Sequence, residues 1–238
     1  MYPQTSAELA QWVEAIGTML AVIVALAIAL FQDKMRAWIM RPKLDVSIDV
    51  SPPDCHKTKM GVSYVTPPRT EEYIDAYRFR LKVTNSGNET AESVEVFAAQ
   101  LSKQQADRTF KEVDSFLPMN LVWSHFQPRQ IFFAISPSTN KHCDLAHIIE
   151  PKERDTIRAE RKTWPNISPD KTILSLDTIV QPHTKHYLLP FGTYRLTIIV
   201  AASNAKAVRK TLEIRLTGDW YHDEQEMLEQ GIGIQVLD

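Results

Sequence analysis

The sequence predicts a mainly β protein: a β-sandwich with elaborated loops, carried behind one N-terminal transmembrane α-helix. Two observations lead there. The chain opens on a long uncharged apolar run, and apolar and polar residues alternate with a period of two at several places after it.

The composition sets bounds first. With 238 residues, 44% hydrophobic and 24% charged, and a net charge of −2, the chain has room for one large or two small domains. Nothing in that balance suggests a nucleic-acid partner or a disordered chain. Cys55 and Cys143 are too few and too far apart for a disulfide framework, which fits a reducing compartment.

From Ala15 to Phe31 no residue is charged and only Thr18 is clearly polar. As a helix that run covers about 26 Å, near the lower end of a bilayer core. Trp12 and Trp38 flank it where interfacial aromatic belts occur. A cleaved signal peptide is the rival reading, and Ala25, Ala27 and Ala29 imitate its processing site. The basic segment expected before such a run is missing, however: Glu8 and Glu14 precede it without Lys or Arg. A retained anchor is the better reading. The expected organisation is a short extracytoplasmic tail (1–14), the span (15–31), a juxtamembrane interfacial helix (32–42) that Pro42 stops, and the β-sandwich (43–238).

Charge asymmetry orients the span. Lys34, Arg36, Arg41 and Lys43 follow it closely, and positive side chains resist translocation, so the β domain is expected on the cytoplasmic side of the inner membrane. Trp12, Phe31 and Trp38, with those four cations, are the expected lipid-anchoring residues. Gly17, Ala21, Ala25 and Ala29 recur every four residues on one helix face, a stripe along which two copies can approach closely and form a homodimer.

The strands follow in order. KLDVSIDV alternates Leu44, Val46, Ile48 and Val50 with polar residues, a half-buried strand close behind the helix. Residues 51–72, bracketed by Pro52-Pro53 and Pro67-Pro68, read as a long connection with a short strand at 61–65. In YRFRLKVTN, Tyr77, Phe79, Leu81 and Val83 face one way. Arg78, Arg80 and Lys82 face the other, as a solvated sheet face or, alternatively, a phosphate- or lipid-binding stripe.

The stretch LKVTNSGNETAESVEV resembles the V-x-N-x-G-x-x-x-A-x-x-V-x-V hairpin of bacterial immunoglobulin-like domains of the cell-adhesion-related kind, with Val83, Asn85, Gly87, Ala91, Val94 and Val96 at its positions. The resemblance implies an immunoglobulin-like sandwich and says nothing about activity. In it, Asn and Gly accept the turn dihedrals and Ala packs beneath. Near the C-terminus, LLPFGTYRLTIIVAASNAKAVRKTLEIRL reads as two strands joined at SNAK. Gly192 and Tyr194 resemble the tyrosine corner of such folds, whose hydroxyl bonds nearby backbone. Between these regions NLVWSHF, RQIFFAIS, DLAHII and TILSLDTIV read as further strands, for seven to nine in all, and the chain closes on an acidic helical piece and a short strand.

No phosphate-loop, dinucleotide, nucleophile-elbow or zincin motif occurs, and no cofactor, metal or catalytic set is expected. His142, Cys143 and His147 lack a second ligand pair for zinc, as do His183 and His186. The expected function is a membrane-anchored interaction or scaffold module, not an enzyme, that recruits or senses a protein partner. Tyr64, Arg154, Arg161 and Trp164 in the long loops are the expected partner contacts, being of residue types enriched in binding hot spots. Two alternatives stand beside it: a membrane-bound ligand sensor or enzyme drawing on His125, His142, Arg154, Arg158 and Arg161, and an extracytoplasmic adhesion-like domain.

Overall fold

The computed structural model describes residues 6–39, 41–63, 71–125, 131–154 and 167–237, with side chains at 10–31, 41–61, 73–125, 131–154 and 167–237. Two compact units meet in sequence between Arg41 and Pro42.

The first unit is one helix, α1 (Ser6–Ile39), uninterrupted for 34 residues and so about 51 Å long. It starts at Ser6, ahead of the Ala15 boundary expected from charge alone, because Glu8 and Glu14 are good helix formers whatever surrounds them. Its stretch Ala10–Phe31, 22 residues of mean hydropathy 2.4, is long and apolar enough to cross a membrane; a signal sequence has the same length and composition. The side chains of Lys34, Arg36 and Trp38 lie outside the described set.

The second unit is two antiparallel sheets, and strands make up half of the chain. The first sheet contains β1 (Leu44–Ser47), β2 (Cys55–Ser63), β3 (Glu71–Asn85), β7 (Val122–Trp123), β9 (Thr139–Ile149), β10 (Leu174–Leu176) and β11 (Leu188–Leu189). In the second are β4 (Ala91–Gln104), β5 (Phe110–Glu112), β6 (Met119–Asn120), β8 (Phe133–Ile135), β12 (Gly192–Ala202), β13 (Ala205–Leu216) and β14 (Ile232–Leu237). Central pairs are β3 with β9 and β4 with β12. Both sheets contribute to one core: Tyr77, Phe79, Leu81 and Leu145 from the first, Val96, Leu196, Ile198 and Ile214 from the second.

Three sequence expectations are corrected here. The stretch around Asn85 is no hairpin, because β3 and β4 belong to different sheets and residues 86–90 cross between them. Neither Asn85 nor Gly87 takes a positive φ; that conformation falls on Ser93, at 50°, where a register shift in the β4–β8 pairing lets Ala91 and Val94 both be buried despite their odd spacing. Asn85 instead works by hydrogen bonding. It is fully buried, its Oδ1 accepts from Lys43 N and Gly87 N at 3.0 Å each, and its Nδ2 donates to Glu89 O at 2.7 Å and Ile135 O at 2.9 Å.

Second, residues 55–63 are a full strand against β3, pairing Cys55 with Phe79 through Ser63 with Glu71. His56, Lys57, Thr58 and Lys59 show no apolar alternation because β2 is an edge strand whose outward face is polar. Third, NLVWSHF is split: β6 pairs with β4 and β7 with β9, so the chain passes between the sheets at the buried Leu121. Short strands of this kind bring the total among the described residues to fourteen.

The Tyr194 reading fares differently. Its hydroxyl donates to Pro190 O at 2.9 Å, and Gly192 sits at φ 143°, where a Cβ is disfavoured. On the other sheet the Tyr77 hydroxyl donates toward the carbonyls of Tyr221 and Asp223 at 2.9 and 3.1 Å, and the Trp220 ring meets Tyr77 edge-on at 5.1 Å. This ties the segment before α2 (Glu224–Glu226) to β3. Burial pushes both phenols up to about 12. Both native pKa values lie above the unfolded value of about 10, so their stabilising contribution is complete below pH 10 and is lost as pH rises toward 12. A spectrophotometric phenol titration should show two tyrosines ionising late, and Tyr194→Phe should remove one of them.

Candidate functional site

The densest polar constellation lies on the outward face of the first sheet, opposite the core. β3 alternates Phe79 and Leu81 inward with Arg78 and Arg80 outward. On β9 a regular strand would send Asp144 and His147 to opposite faces, since they are three residues apart. The pairing steps from Phe79 with Ala146 to Arg80 with Asp144, leaving Leu145 as the extra residue of a bulge. Asp144 and His147 therefore share the outward face, with His142 beyond.

Asp144 is the centre. It is 7% exposed, with Arg78 Nη1 at 3.2 Å, Arg80 Nε at 3.1 Å and the Ser124 hydroxyl donating at 2.6 Å. A carboxylate so deeply placed is held by these three donors. Two His–carboxylate pairs flank it: His142 Nε2 lies 2.9 Å from Asp54 Oδ1, and His147 Nδ1 lies 2.8 Å from Asp177 Oδ1. Asp54 is fixed in turn by accepting from Asp49 N at 3.1 Å. At the margin His56 is held below the ordinary imidazole range, first by burial and then by the charge of Arg80.

Chemically this is a charge-compensated lattice. The basic stripe read from the sequence does not face solvent as free charge at Arg78 and Arg80, because Asp144 takes both guanidinium groups. The Ser124 hydroxyl bonds to a carboxylate and not to an imidazole, so the Ser–His–Asp relay of a nucleophile is not assembled there. Cys143 is fully buried on the core side while His142 faces out, and burial raises its thiol well above the ordinary range. No group of three or more His, Cys, Asp or Glu able to hold a metal occurs among the described residues.

The loop residues expected to contact a partner separate into two sets. Arg154 is 6% exposed, and its Nη2 donates to Ser168 O at 3.0 Å and Pro169 O at 2.8 Å. Five donors in a fixed fork suit convergent carbonyls, and the backbone supplies them to Arg154. Tyr64, Arg158, Arg161 and Trp164 lie outside the described residues. His125 is exposed at φ 64°, His183 is exposed, and His186 sits 3.1 Å from Ser115 O, so these three do not join the Asp144 cluster. Along the helix Gly17, Ala21, Ala25 and Ala29 are all exposed, and a Cβ placed on Gly17 would meet nothing within 4 Å.

Sequence reasoning missed Asp144 and Ser124 altogether. The signal was present in KHCDLAH, but without the bulge a period-two reading assigns Asp144 and His147 to different faces.

No protein-family model, no curated protein and no solved structure matches the chain. The class it belongs to is thus structural: a two-sheet antiparallel β unit following one apolar helix.

Proposed function

We propose that this protein is a membrane-anchored interaction module, whose immunoglobulin-like β unit holds a protein partner at the cytoplasmic face of the inner membrane. One observation carries the anchor. Every residue from Ala10 to Phe31 is exposed, including Ile16, Leu20, Val24 and Ile28, each more than half so. A helix that is apolar on all sides needs a lipid environment. Lys34, Arg36, Arg41 and Lys43 support the cytoplasmic orientation. The short sequence between helix and first strand supports a docking platform held near the bilayer, and the exposed small-residue face supports helix–helix packing. The Tyr194 hydrogen bond supports the immunoglobulin-like reading.

A reporter active only in the cytoplasm, fused after Asp238, should be active, and neutralising the four cations should scramble orientation. Affinity capture from solubilised membranes should recover a stoichiometric protein partner that Trp164→Ala loses with the fold intact. An active periplasmic reporter on the unaltered chain would refute the orientation. Capture of nothing, together with saturable small-molecule binding, would replace the module by a sensor.

A further inference from the structure

The second sheet ends on β14, whose outer edge has no neighbouring strand among the described residues. The ladder determines what that edge presents. Thr217 N donates to Gly231 O at 3.0 Å, so Arg215–Gly233 and Glu213–Gln235, stepping by two, are also hydrogen-bonded pairs. Ile234 and Val236 therefore aim their N–H and C=O groups away from β13, into the open edge; at Ile232 only the C=O is open, because its N–H donates to Met227 O.

The other edges are blunted. β2 carries Lys57 and Lys59, and the Lys57 N–H is taken by the Glu224 carboxylate. β1, β5 and β11 are only four, three and two residues long. β14 is six residues, IGIQVL, with no charge, no proline and no register shift, so from Gly233 onward the devices that keep an edge from pairing are missing.

We propose that β14 is the docking edge for a second copy of this chain, whose own β14 adds antiparallel about a two-fold axis through Ile234. Charge and register select that occupant. With Ile234 opposite Ile234 of the second copy, Ile232 and Val236 oppose one another; the Ile234 pair exchanges both main-chain hydrogen bonds, and each Ile232–Val236 pair adds the one from the Val236 N–H to the Ile232 C=O. On the outer face Gly233 then stands beside Gln235 of the second copy, and Glu213 of the second copy comes next in the row. Gly233 has no side chain, and the Arg215 guanidinium lies over it, 3.5 Å from where a Cβ would stand. Arg215 has no carboxylate at ion-pair distance among the described residues. It therefore reaches across the gap that Gly233 leaves, toward Glu213 of the second copy, whose carboxylate also accepts from its own Arg195 Nε at 3.0 Å through Oε2, and symmetry repeats the row in the opposite direction. An unrelated strand would satisfy the backbone but not these two rows.

The test uses the full-length protein in detergent micelles, with the monomer–dimer equilibrium read by analytical ultracentrifugation. Ile234→Pro removes an N–H that points away from β13 but also a buried core side chain, so it should lower the thermal transition; Val236→Pro, at a half-buried position with the same outward N–H, should leave the transition nearer that of the unaltered protein, and both should weaken the dimer by roughly tenfold or more. Arg215→Glu and Glu213→Arg should each weaken it by about fivefold, and an equimolar mixture of the two variants should restore association, because each row then pairs opposite charges. A monomeric unaltered protein, or a dimer indifferent to Ile234→Pro, overturns the proposal. So does a mixture no tighter than its components. Dimerisation lost in Ala21→Leu with Ala25→Leu but retained in Ile234→Pro would place association on the helix and likewise overturn the β14 edge.

Discussion

Asn85→Ala is expected to be the most damaging single substitution, destabilising the β unit by about 3–5 kcal/mol. The residue is fully buried and satisfies four backbone groups drawn from three places: Lys43 ahead of β1, Gly87 and Glu89 in the crossing, and Ile135 on β8. Alanine leaves two N–H and two C=O groups short of partners, at a typical net cost of about 1 kcal/mol apiece. For a unit of this size the thermal midpoint should fall by roughly 6–20 °C. Asn85→Asp separates hydrogen bonding from volume. It keeps the acceptor side, but at neutral pH it turns a carboxylate toward the Glu89 and Ile135 carbonyls, so it should be unstable there and recover partly in acid as the carboxyl gains a proton. A midpoint unchanged in both variants would show that the crossing is held by other contacts.

Asp144→Ala should cost about 2–4 kcal/mol, and for a different reason. It removes the one carboxylate shared by Arg78 and Arg80, whose side chains are 25% and 13% exposed. Two partly desolvated guanidinium groups would remain close together, and their residual exposure keeps the loss below that of a fully buried charge. Pairing Asp144→Leu with Arg80→Leu should return much of the stability, because deleting both partners leaves one fewer unmatched charge than deleting the acid alone. Chemical denaturation of the single and double variants measures this coupling directly. Additive losses would mean that the Asp144–Arg80 contact contributes nothing of its own.

These two residues also show what was legible in the sequence. Asn85 drew attention through V-x-N-x-G, yet composition alone made it a turn former, and only the assignment of β3 and β4 to different sheets reveals a bond-maker. Strands with strict alternation and one buried face, such as β3, β12 and β13, were readable because burial imposes a period of two. β2 was not, since an edge strand buries little and leaves Lys57, Thr58 and Lys59 without a hydrophobic rhythm. Asp144 was hidden by a single extra residue, Leu145, which reverses the parity of everything after it. The helix was plain from its lack of charge, whereas the two-residue β6 and β7 fall below the length at which any periodicity can be counted.

The interleaving of the two sheets bears on how the chain is made. The pairings of β3 with β9 and of β4 with β12 join strands far apart in sequence: Leu81 meets Cys143, and Val96 meets Val200. Contacts of such long range close large loops before they return any energy, which places the β unit among slow-folding topologies, on the order of milliseconds to seconds. During synthesis β4 is exposed long before β12 exists to cover it, a delay of roughly five to twenty seconds at about 5–20 residues added per second. The apolar helix has by then left the ribosome. The nascent domain therefore waits, half-built and adhesive along β4, in whatever compartment the helix has already chosen, and a chaperone that shields unpaired strands should associate with it there until residue 202 has been added.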